Sequence, residues 1–397
     1  MDCINNSIFS IVKNECTGCN LCEDICPVNA ISFQYDEEGF LFPNVNQEKC
    51  VGCGKCKNTC PALYSKNDDT LFDRRVYAAW NKNHDIRWNS TSGGVFTCLA
   101  EYLLEENYYI VGAIYNDEIR VIHLVSNDKN DLCKMRQSKY VQSDLRGVYK
   151  EILRLLQNDE KVLFCGTPCQ AAAVKKATKK YEKNIVIIDF ICAGVGSPVV
   201  FESYIEYLEA KYKSKIKQVW FKNKDAGWDQ LGTKVSFENG RQYFRIGSRD
   251  IYMCAFVQDK LNIRKSCFNC MYRDNNHFSD ITLGDFWGID ELEYAVKDNL
   301  GVTAFIVNSK KGINIIENVK ESLEWMEASF ENVAKYNSTV RNSLCEGENR
   351  HDFLVDTQKE GIYSAYKKYG SYSGKNKLRR DIDYIKWKIK RYFNIKK

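Results

Sequence analysis

Hydrophobic residues along the middle of the chain form short runs that alternate with longer amphipathic stretches. Apolar runs of strand length occur at residues 75–80, 108–115, 120–126, 161–166, 184–190 and 302–308. Between them, apolar residues recur at three- and four-residue steps over residues 95–107, 145–157, 168–181 and 198–212, which is the period of a helix. Because strand and helix alternate through residues 75–215, the pattern predicts a parallel or mixed sheet covered by helices, an α/β or α+β fold.

Two segments beside this alternating region have the period of a β-hairpin. Residues 31–42 alternate apolar and polar positions on both sides of the turn DEEG. Residues 234–246, KVSFENGRQYFRI, predict a second hairpin within an antiparallel insertion over residues 216–246. We therefore expect antiparallel structure before and after the alternating region.

The C-terminal segment predicts a helix with one apolar face, formed by Leu378, Ile382, Ile385, Ile389 and Phe393. Residues 375–397 hold ten Lys/Arg and two Asp, so this segment carries +8 of a whole-chain net charge of +5 and leaves about −3 elsewhere. Such a helix can lie on an anionic membrane surface or dock on an acidic partner, or its apolar face can pack on its own domain. No nucleic-acid-binding motif accompanies the charge, so no nucleic-acid partner is expected.

Composition adds one decisive feature, the number of cysteines. The chain has 397 residues, of which 18 are Cys and 44% are hydrophobic. Its first residues lack the basic start and apolar run of a signal peptide, and no apolar stretch has the length of a membrane span. We therefore expect a cytoplasmic protein, peripheral at the inner face of the membrane if the basic tail binds there. Its cysteines are expected to ligate metal rather than form disulfides.

Eight of the cysteines form a repeat. CTGCNLCEDICP at residues 16–27 returns as CVGCGKCKNTCP at residues 50–61, with the spacing C-x2-C-x2-C-x3-C-P that binds 4Fe–4S clusters. The fourth cysteine of such a run ligates the other cluster, so the predicted ligand sets are Cys16, Cys19, Cys22 and Cys60, and Cys50, Cys53, Cys56 and Cys26. Paired zinc sites are the alternative, but they do not require this spacing. Residues 1–63 are predicted to be a two-cluster ferredoxin domain, with a linker over residues 64–74.

A glycine turn is a candidate binding site in the larger domain. Gly93 and Gly94 precede the helix that begins at residue 95, and Ser90, Thr91 and Ser92 are candidates for its cap. The unpaired amides of a helix start suit a phosphate of a nucleotide or flavin. The alternative is that this Ser-Gly-Gly turn is only a connection.

Cysteines at the ends of predicted strands form a second candidate site. Thr167 fits an N-cap and Pro168 the first helical position, so Cys169 falls in a first turn, where the helix dipole favours a thiolate. Strand ends at one edge of a sheet converge, so a third cluster is predicted at Cys169, Cys192, Cys267 and Cys270. The alternatives are a zinc site, a redox dithiol at Cys165/Cys169 or Cys267/Cys270, and plain burial, which we expect for Cys3, Cys98, Cys133, Cys254 and Cys345.

Several motifs together resemble a known family. The order TSGGV, SKYVQS, VLFCGTPCQ, DFICAGVGSP, FKNKDAGW and SCFNC…SDITLGDFWG is similar to the beta subunit of coenzyme F420 hydrogenase/dehydrogenase, in the form with an N-terminal ferredoxin domain. The resemblance runs from about residue 10 to about residue 350. It implies a family-like domain over residues 75–350 and leaves residues 351–397 as a helical basic tail.

This resemblance implies an iron–sulfur flavoprotein. It places a 4Fe–4S cluster on Cys169, Cys192, Cys267 and Cys270, and FAD at Ser92, Gly93, Gly94, Lys139 and Tyr140. Coenzyme F420 is the implied hydride carrier. Two residues depart from the family pattern: Cys165 stands where a small residue is more usual, so it could be a spare thiol or an alternative ligand, and CAGV replaces CHGV, so the family's His is absent.

Two functions of different class follow from these features. The first is an FAD- and iron–sulfur-dependent oxidoreductase that moves electrons between a hydride carrier and a redox partner protein. The second is a non-catalytic electron-transfer adaptor that serves a neighbouring enzyme, for example in polysaccharide biosynthesis. Lys139 and Asp285 are the polar residues to test first; the alternatives are that Lys139 is solvated and that Asp285 caps a turn.

Overall fold

The computed structural model describes residues 6–395 apart from residues 9, 10, 12, 64–73, 275, 292–295 and 297. Cys3 and nearly all of the predicted linker at residues 64–74 lie outside the described residues, and so does the side chain of Phe393. In the part of the chain that is described, no helix combines the length and the apolar character needed to cross a membrane.

The N-terminal region carries the cysteine repeat on two short loops joined by a hairpin. Strands β1 (Ile31–Tyr35) and β2 (Leu41–Val45) pair antiparallel, as predicted. The Asp36 carboxylate closes their turn, because it accepts hydrogen bonds from the backbone N–H groups of Glu38 and Phe40 at 3.1 and 2.9 Å. Each cysteine loop leads into a short helix, α1 (Leu21–Asp24) or α2 (Lys55–Thr59), and these helices pack together.

The body of the protein is built on one mixed sheet of eight strands. They are β3 (Arg75–Asn81), β4 (Tyr108–Tyr115), β5 (Val121–Ser126), β6 (Lys161–Gly166), β7 (Ile185–Phe190), β11 (Ile281–Asp285), β12 (Thr303–Val307) and β13 (Leu323–Ala328). Their order is β13-β3-β12-β11-β7-β6-β4-β5. The central strands β11, β7, β6 and β4 are parallel, and the outer pairs are antiparallel. All six predicted strands are confirmed, whereas β11 and β13 were not predicted.

Helices cover both faces of this sheet. On one face α4 (Val95–Glu105) and α10 (Lys310–Val319) bury their apolar residues, and on the other face α6 (Val148–Gln157) and α7 (Pro168–Ala177) do so. The predicted start of α7 is confirmed, since Thr167 and Gln170 form a capping box and Pro168 is the first helical residue. This part of the chain also contains three short helices: α3 (His84–Trp88), α5 (Leu132–Met135) and α11 (Phe330–Tyr336).

A second sheet extends the body. Strands β9 (Gly232–Phe237) and β10 (Gln242–Arg245) form the predicted hairpin, and β8 (Ile216–Asn223) adds a third antiparallel strand. Residues of this sheet, of α8 (Pro198–Tyr212) and of α9 (Ile251–Met253) share one apolar core with α12 (Arg350–Glu360) and α13 (Ile362–Tyr369). Helix α14 (Gly374–Ile395) follows.

Buried polar contacts fasten the cysteine-repeat region to the body. The Asp24 carboxylate accepts hydrogen bonds from the N–H groups of Gly147 and Tyr149, at 2.8 and 3.0 Å, and so caps the start of α6. Arg264 donates to the carbonyl oxygen of Cys16 at 2.8 Å, and Gln142 donates to that of Gly18 at 2.8 Å. These contacts fix the first cysteine loop against the body.

An ion pair fixes the hairpin in the same way. Arg350 is only 1% exposed, and its guanidinium binds both carboxylate oxygens of Glu38, at 2.9 and 2.7 Å. The same side chain donates to the carbonyl oxygen of Ile263 at 2.6 Å. The repeat region therefore has a fixed position relative to the larger sheet.

Candidate functional site: a line of cysteine-lined cavities and a pocket at the sheet edge

The cysteine repeat surrounds two small cavities. One is lined by Cys26, Cys50, Cys53 and Cys56. The other is lined by Cys16, Cys19, Cys22 and Cys60, and Cys56 also reaches it. Each predicted quartet is therefore brought together, with its fourth cysteine contributed by the other copy of the repeat.

The second cysteine set surrounds a third cavity, of about 230 Å³. All four predicted residues line it: Cys169, Cys192, Cys267 and Cys270. Thr17 and Ala62 line it too, and each is a near neighbour in sequence of a cysteine at the second small cavity. The third cavity therefore lies where the body meets the cysteine repeat.

Burial raises the pKa of three of the four thiols around the third cavity, those of Cys169, Cys192 and Cys267, so these three hold their protons at neutral pH. Burial raises the pKa of Cys169 to about 12, although a contact of 3.1 Å with the Thr167 hydroxyl opposes the shift. Burial and then Cys270 raise the pKa of Cys267 to about 11. Burial therefore opposes the thiolate that the helix start was expected to favour at Cys169. Metal binding would have to displace these protons.

The arrangement of these cysteines bears on the alternatives of a single zinc ion and of a redox dithiol that includes Cys165. Among the residues that the structure describes, no group of three or more His, Cys, Asp or Glu side chains converges on a single-ion site. The thiolates of a four-iron cluster surround a cube rather than one ion, so a cluster does not require the cysteines to converge on one point. Cys165 does not line the third cavity but the larger pocket beside it, so it is separate from the predicted set.

The larger pocket, of about 270 Å³, lies beyond the carboxyl ends of the parallel strands. Gly166 at the end of β6, Phe190 at the end of β7 and Asp285 at the end of β11 line it. It shares Thr167, Cys192, Gly194 and Val195 with the third cysteine cavity. The two sites are therefore separated by a single layer of residues.

The Ser-Gly-Gly turn forms one wall of this pocket. Ser92 and Gly94 line it, whereas Gly93 does not, because Gly93 packs against the backbone of Ala79 and donates to the Thr303 hydroxyl at 2.9 Å. The N-cap of α4 is Gly94, in a left-handed conformation with φ 81°, and no side chain caps this helix. Val95 and Phe96 in its first turn line the pocket.

The prediction that a serine or threonine caps α4 is wrong. The hydroxyl of Ser90 donates to the carbonyl oxygen of Ile86 at 2.7 Å, and that of Ser92 donates to the carbonyl oxygen of Val302 at 2.6 Å. Thr91 accepts from the N–H of Ser138 at 2.7 Å. These hydroxyls tie the turn to neighbouring segments, which leaves the helix start open to the pocket.

Two buried lysines brace the segments around the pocket. The ammonium of Lys139 donates to the carbonyl oxygens of Lys134, Arg136 and Gln137, at 2.9, 2.7 and 3.2 Å. Burial lowers its pKa to about 7, and the alternative that Lys139 is solvated is wrong.

Lys224 also binds three carbonyl oxygens, one of which belongs to Ser92 in the Ser-Gly-Gly turn. Its ammonium donates to the carbonyl oxygens of Arg87, Ser92 and Leu300, at 2.6, 2.8 and 2.6 Å. Burial and then the charge of Arg87 lower its pKa to about 7. Lys224 belongs to the FKNKDAGW motif, but its hydrogen bonds to distant carbonyls could not be read from the sequence.

Asp285 and Tyr140 belong to a polar group at the pocket wall. The Asp285 carboxylate pairs with the buried ammonium of Lys222 and accepts from the indole N–H of Trp228 at 3.1 Å. Burial opposes the charge of Lys222, but Asp285 and Tyr140 raise its pKa above the usual value. Burial raises the pKa of the Tyr140 hydroxyl, so this phenol is neutral. Asp285 thus forms an ion pair and does not merely cap a turn.

His123 is a pocket residue that sequence reasoning did not select. Burial lowers its pKa to about 4, so the ring is neutral, and Nε2 lies 3.3 Å from the carbonyl oxygen of Cys165. The Nδ1 atom is buried without a hydrogen-bond partner among the described residues. Strand period alone marks His123 as an ordinary position of β5, and only the fold brings it to the pocket.

The remaining cysteines and histidines divide between buried and exposed positions. Cys98 and Cys254 are buried, as predicted, but Cys133 and Cys345 are exposed, so that prediction is wrong for these two. His277, in the loop after the CxxC pair, lies 2.7 Å from the buried carboxylate of Asp189 and does not line the pocket.

Comparison with known proteins gives three family matches. Residues 15–63 match a 4Fe-4S dicluster domain. Residues 76–150 match the N-terminal part of the coenzyme F420 hydrogenase/dehydrogenase beta subunit, and residues 159–333 match its C-terminal part. No curated protein gives a significant match.

Several solved chains are similar, among them a chain of the xenon-derivatised F420-reducing NiFe hydrogenase complex of Methanosarcina barkeri. The two chains are 17% identical with a TM-score of 0.46, over 78% of this chain and 98% of that chain. The family matches are more specific than this likeness, and the two beta-subunit matches together span more than half of the 397 residues. The chain therefore belongs to the coenzyme F420 hydrogenase/dehydrogenase beta subunit family and carries an N-terminal 4Fe-4S dicluster domain.

Proposed function

We propose that this chain is an iron–sulfur flavoprotein oxidoreductase that exchanges electrons between a hydride carrier and a protein partner. The observation that carries the proposal is the shared wall between the pocket at the sheet edge and the third cysteine cavity, formed by Thr167, Cys192, Gly194 and Val195. The third cavity in turn reaches Thr17 and Ala62 of the dicluster domain. The proposed sites for a two-electron and a one-electron cofactor are thus adjacent.

The pocket residues fit a flavin. An open helix start at Gly94 suits a phosphate, and the mainly apolar lining, with Val95, Phe96 and Phe256, suits a flat aromatic ring. The buried Nδ1 of His123 has no protein partner among the described residues, so a bound group could supply one. Gly93 does not line the pocket, so it would not contact the flavin; it would allow the turn to pack closely against the backbone of Ala79.

The cofactors would supply the redox chemistry: FAD would exchange a hydride, and three 4Fe–4S clusters would carry single electrons. The chain's own residues hold and shield them. Lys139 and Lys224 each join three carbonyl oxygens, and so fix two neighbouring segments of the pocket wall, which are also tied to each other by the hydrogen bond from Ser138 to Thr91. Tyr140 adopts a left-handed backbone conformation, with φ 52°, which such bracing can maintain.

Proton movement at the pocket wall would depend on Lys222 and Tyr140. Hydride exchange coupled to single-electron transfer requires a proton to enter or leave. The Lys222 ammonium and the Tyr140 hydroxyl are buried proton carriers that interact with each other, and Asp285 holds the ammonium in place. The Lys222 ammonium and the Tyr140 hydroxyl are therefore the proposed proton relay, and Asp285 positions the Lys222 ammonium.

The protein partner would dock at the outer cluster of the dicluster domain. Cys53 is exposed there, Val51 is 61% exposed and Val28 is 36% exposed, and all three line the cavity of this quartet. Electron transfer falls steeply with distance, so the exposed edge of the outermost cluster is the natural contact. The hydride carrier, a deazaflavin or another two-electron substrate, would enter at the sheet-edge pocket instead.

Cofactor counting tests this proposal. After anaerobic purification, we expect about twelve iron and twelve sulfide atoms with one FAD per chain, because three four-iron clusters are proposed. About eight iron atoms without flavin would contradict it and support the electron-transfer adaptor.

A pocket-filling variant separates the flavin from the clusters. Ala113→Phe should abolish FAD binding and leave the iron count unchanged, because Ala113 lines the pocket but no cysteine cavity. Ala210→Phe, on the exposed side of α8, is the matched control and should retain FAD. Retention of FAD by both variants would place the flavin elsewhere.

A further inference from the structure

Helix α14 presents an apolar stripe to solvent. Leu378, Ile382, Ile385 and Ile389 follow one another at steps of four, three and four, and are 64%, 43%, 55% and 52% exposed. Exposed aliphatic residues are common singly, but four in line on one helix face mark an interaction surface. The sequence-based alternative that these residues pack on their own domain is therefore wrong.

The helix is held to the body by its polar face instead. Asp381 accepts hydrogen bonds from Arg249 at 2.8 Å and from the Tyr372 hydroxyl at 2.6 Å. Arg380 donates to Gln258 and to Ser371, at 2.5 and 3.0 Å. On a helix of 3.6 residues per turn this anchored face is roughly a third of a turn from the stripe. The attachment therefore turns the apolar residues away from the body.

Positive charge borders the stripe on one side. The segment 375–397 contains ten Lys/Arg and two Asp, and one of these acids, Asp381, is already paired with Arg249. Arg379 and Lys386 are exposed, and by helix geometry they flank the same side of the stripe. An apolar stripe bordered by cations is complementary to a layer of acyl chains beneath anionic headgroups.

We propose that α14 is a peripheral anchor that lies on an anionic phospholipid surface. The helix is about 33 Å long at 1.5 Å per residue, and it is not apolar enough to cross a bilayer. A lipid surface accepts aliphatic side chains in any order, whereas protein interfaces depend on shaped aromatic and Arg anchors. The four described residues of the stripe are all aliphatic, which favours lipid over an acidic protein.

Vesicle sedimentation tests this proposal on the full chain with its cofactors. We expect at least about ten-fold stronger binding to phosphatidylcholine vesicles containing about one third phosphatidylglycerol than to phosphatidylcholine alone, and weaker binding at high salt. Absence of this difference would overturn the proposal. It would also be overturned if the chain formed a dimer through α14 and left the vesicles unbound.

Paired variants locate the contact. Ile385→Asp should reduce vesicle binding about ten-fold or more, because it places a charge in the stripe. Asn376→Asp adds the same charge to the exposed opposite face of α14 and should have a much smaller effect. Equal vesicle binding by Ile385→Asp and the unaltered chain would contradict the proposal. An unchanged thermal midpoint of unfolding for Ile385→Asp would show that its loss of binding is not caused by misfolding.

Discussion

The eight cysteines of the repeat and the four of the third cavity are organised in contrasting ways. The repeat places all its cysteines between residues 16 and 60, on two loops of the same spacing. The third set comes from the start of α7, the loop after β7 and a CxxC pair near residue 270, which meet only in the folded chain. The repeat is thus encoded by spacing, whereas the third set depends on sheet topology.

The comparison extends to how each site is supported. The apolar core of the repeat region is small and includes Cys22 and Cys56 themselves, so this region depends on polar contacts with the body. The third cavity and the neighbouring pocket instead lie at the edge of a large sheet with helices on both faces. Damage to the polar contacts should therefore disturb the repeat first.

The largest stability effect is expected at Arg350. Arg350→Met should destabilise the protein by about 3 to 5 kcal/mol, because it leaves Glu38 and a carbonyl oxygen of the body without their buried partner. The free energy of unfolding from anaerobic urea titration measures this. Arg341→Met breaks the exposed pair with Glu331 and is the control, with little expected change. Equal stabilities for the two variants would contradict a fixed docking of the repeat region.

Lys224 should be next in effect. Lys224→Met keeps a similar volume but donates no hydrogen bond to the carbonyl oxygens of Arg87, Ser92 and Leu300, which should cost about 2 kcal/mol. FAD retention should fall in parallel, because the Ser-Gly-Gly turn loses its brace. Lys234→Met, which breaks a surface pair with Asp225, is the matched control. Full FAD retention in Lys224→Met would separate this lysine from the pocket.

His123 should give the protein a pH-dependent stability. Burial lowers its folded pKa from 6.5 to about 4. Below pH 6.5 the unfolded chain therefore binds a proton that the folded chain does not, and stability falls as the pH falls towards 4. Between pH 7 and 5 the unaltered protein should lose about 2 kcal/mol more than His123→Gln. Parallel pH profiles from urea titration would argue against a neutral buried ring.

The smallest effect is expected at Asp24. Asp24→Ala removes the carboxylate that caps α6 from the repeat region, and should cost about 1 kcal/mol. The iron content should not change, since no cysteine is altered. A loss of iron would show that this contact also maintains the cluster-binding loops.

Local patterns predicted much of this fold. The six strands, the hairpins and the capping box of Thr167 depend on periodicity and neighbouring residues, which the sequence displays directly. Strand β11 was missed because its residues ITLGD combine glycine with a terminal acid, and β13 because it is an edge strand with the exposed Trp325. Neither carries a clean alternation.

The site was predictable where spacing or strand ends determined it. Spacing and strand ends predicted the cysteine quartets, the glycine turn before α4 predicted a binding site at Ser92 and Gly94, and the resemblance added Lys139 and Tyr140. The structure adds Lys222, Lys224 and His123, whose roles depend on contacts with segments distant in sequence. The sequence also left open whether the apolar stripe of the tail faces the body or solvent. Its direction depends on the contact between Asp381 and Arg249, which are distant in sequence.

The most direct test of the division between the two cysteine sets is the iron content and reduced-state electron paramagnetic resonance spectrum of Cys267→Ser. The account predicts a loss of about four iron atoms per chain, with the signals of the two repeat clusters retained. Cys345→Ser, at an exposed position, should keep all the iron. Simultaneous loss of all clusters in Cys267→Ser, or no loss of iron at all, would contradict the assignment.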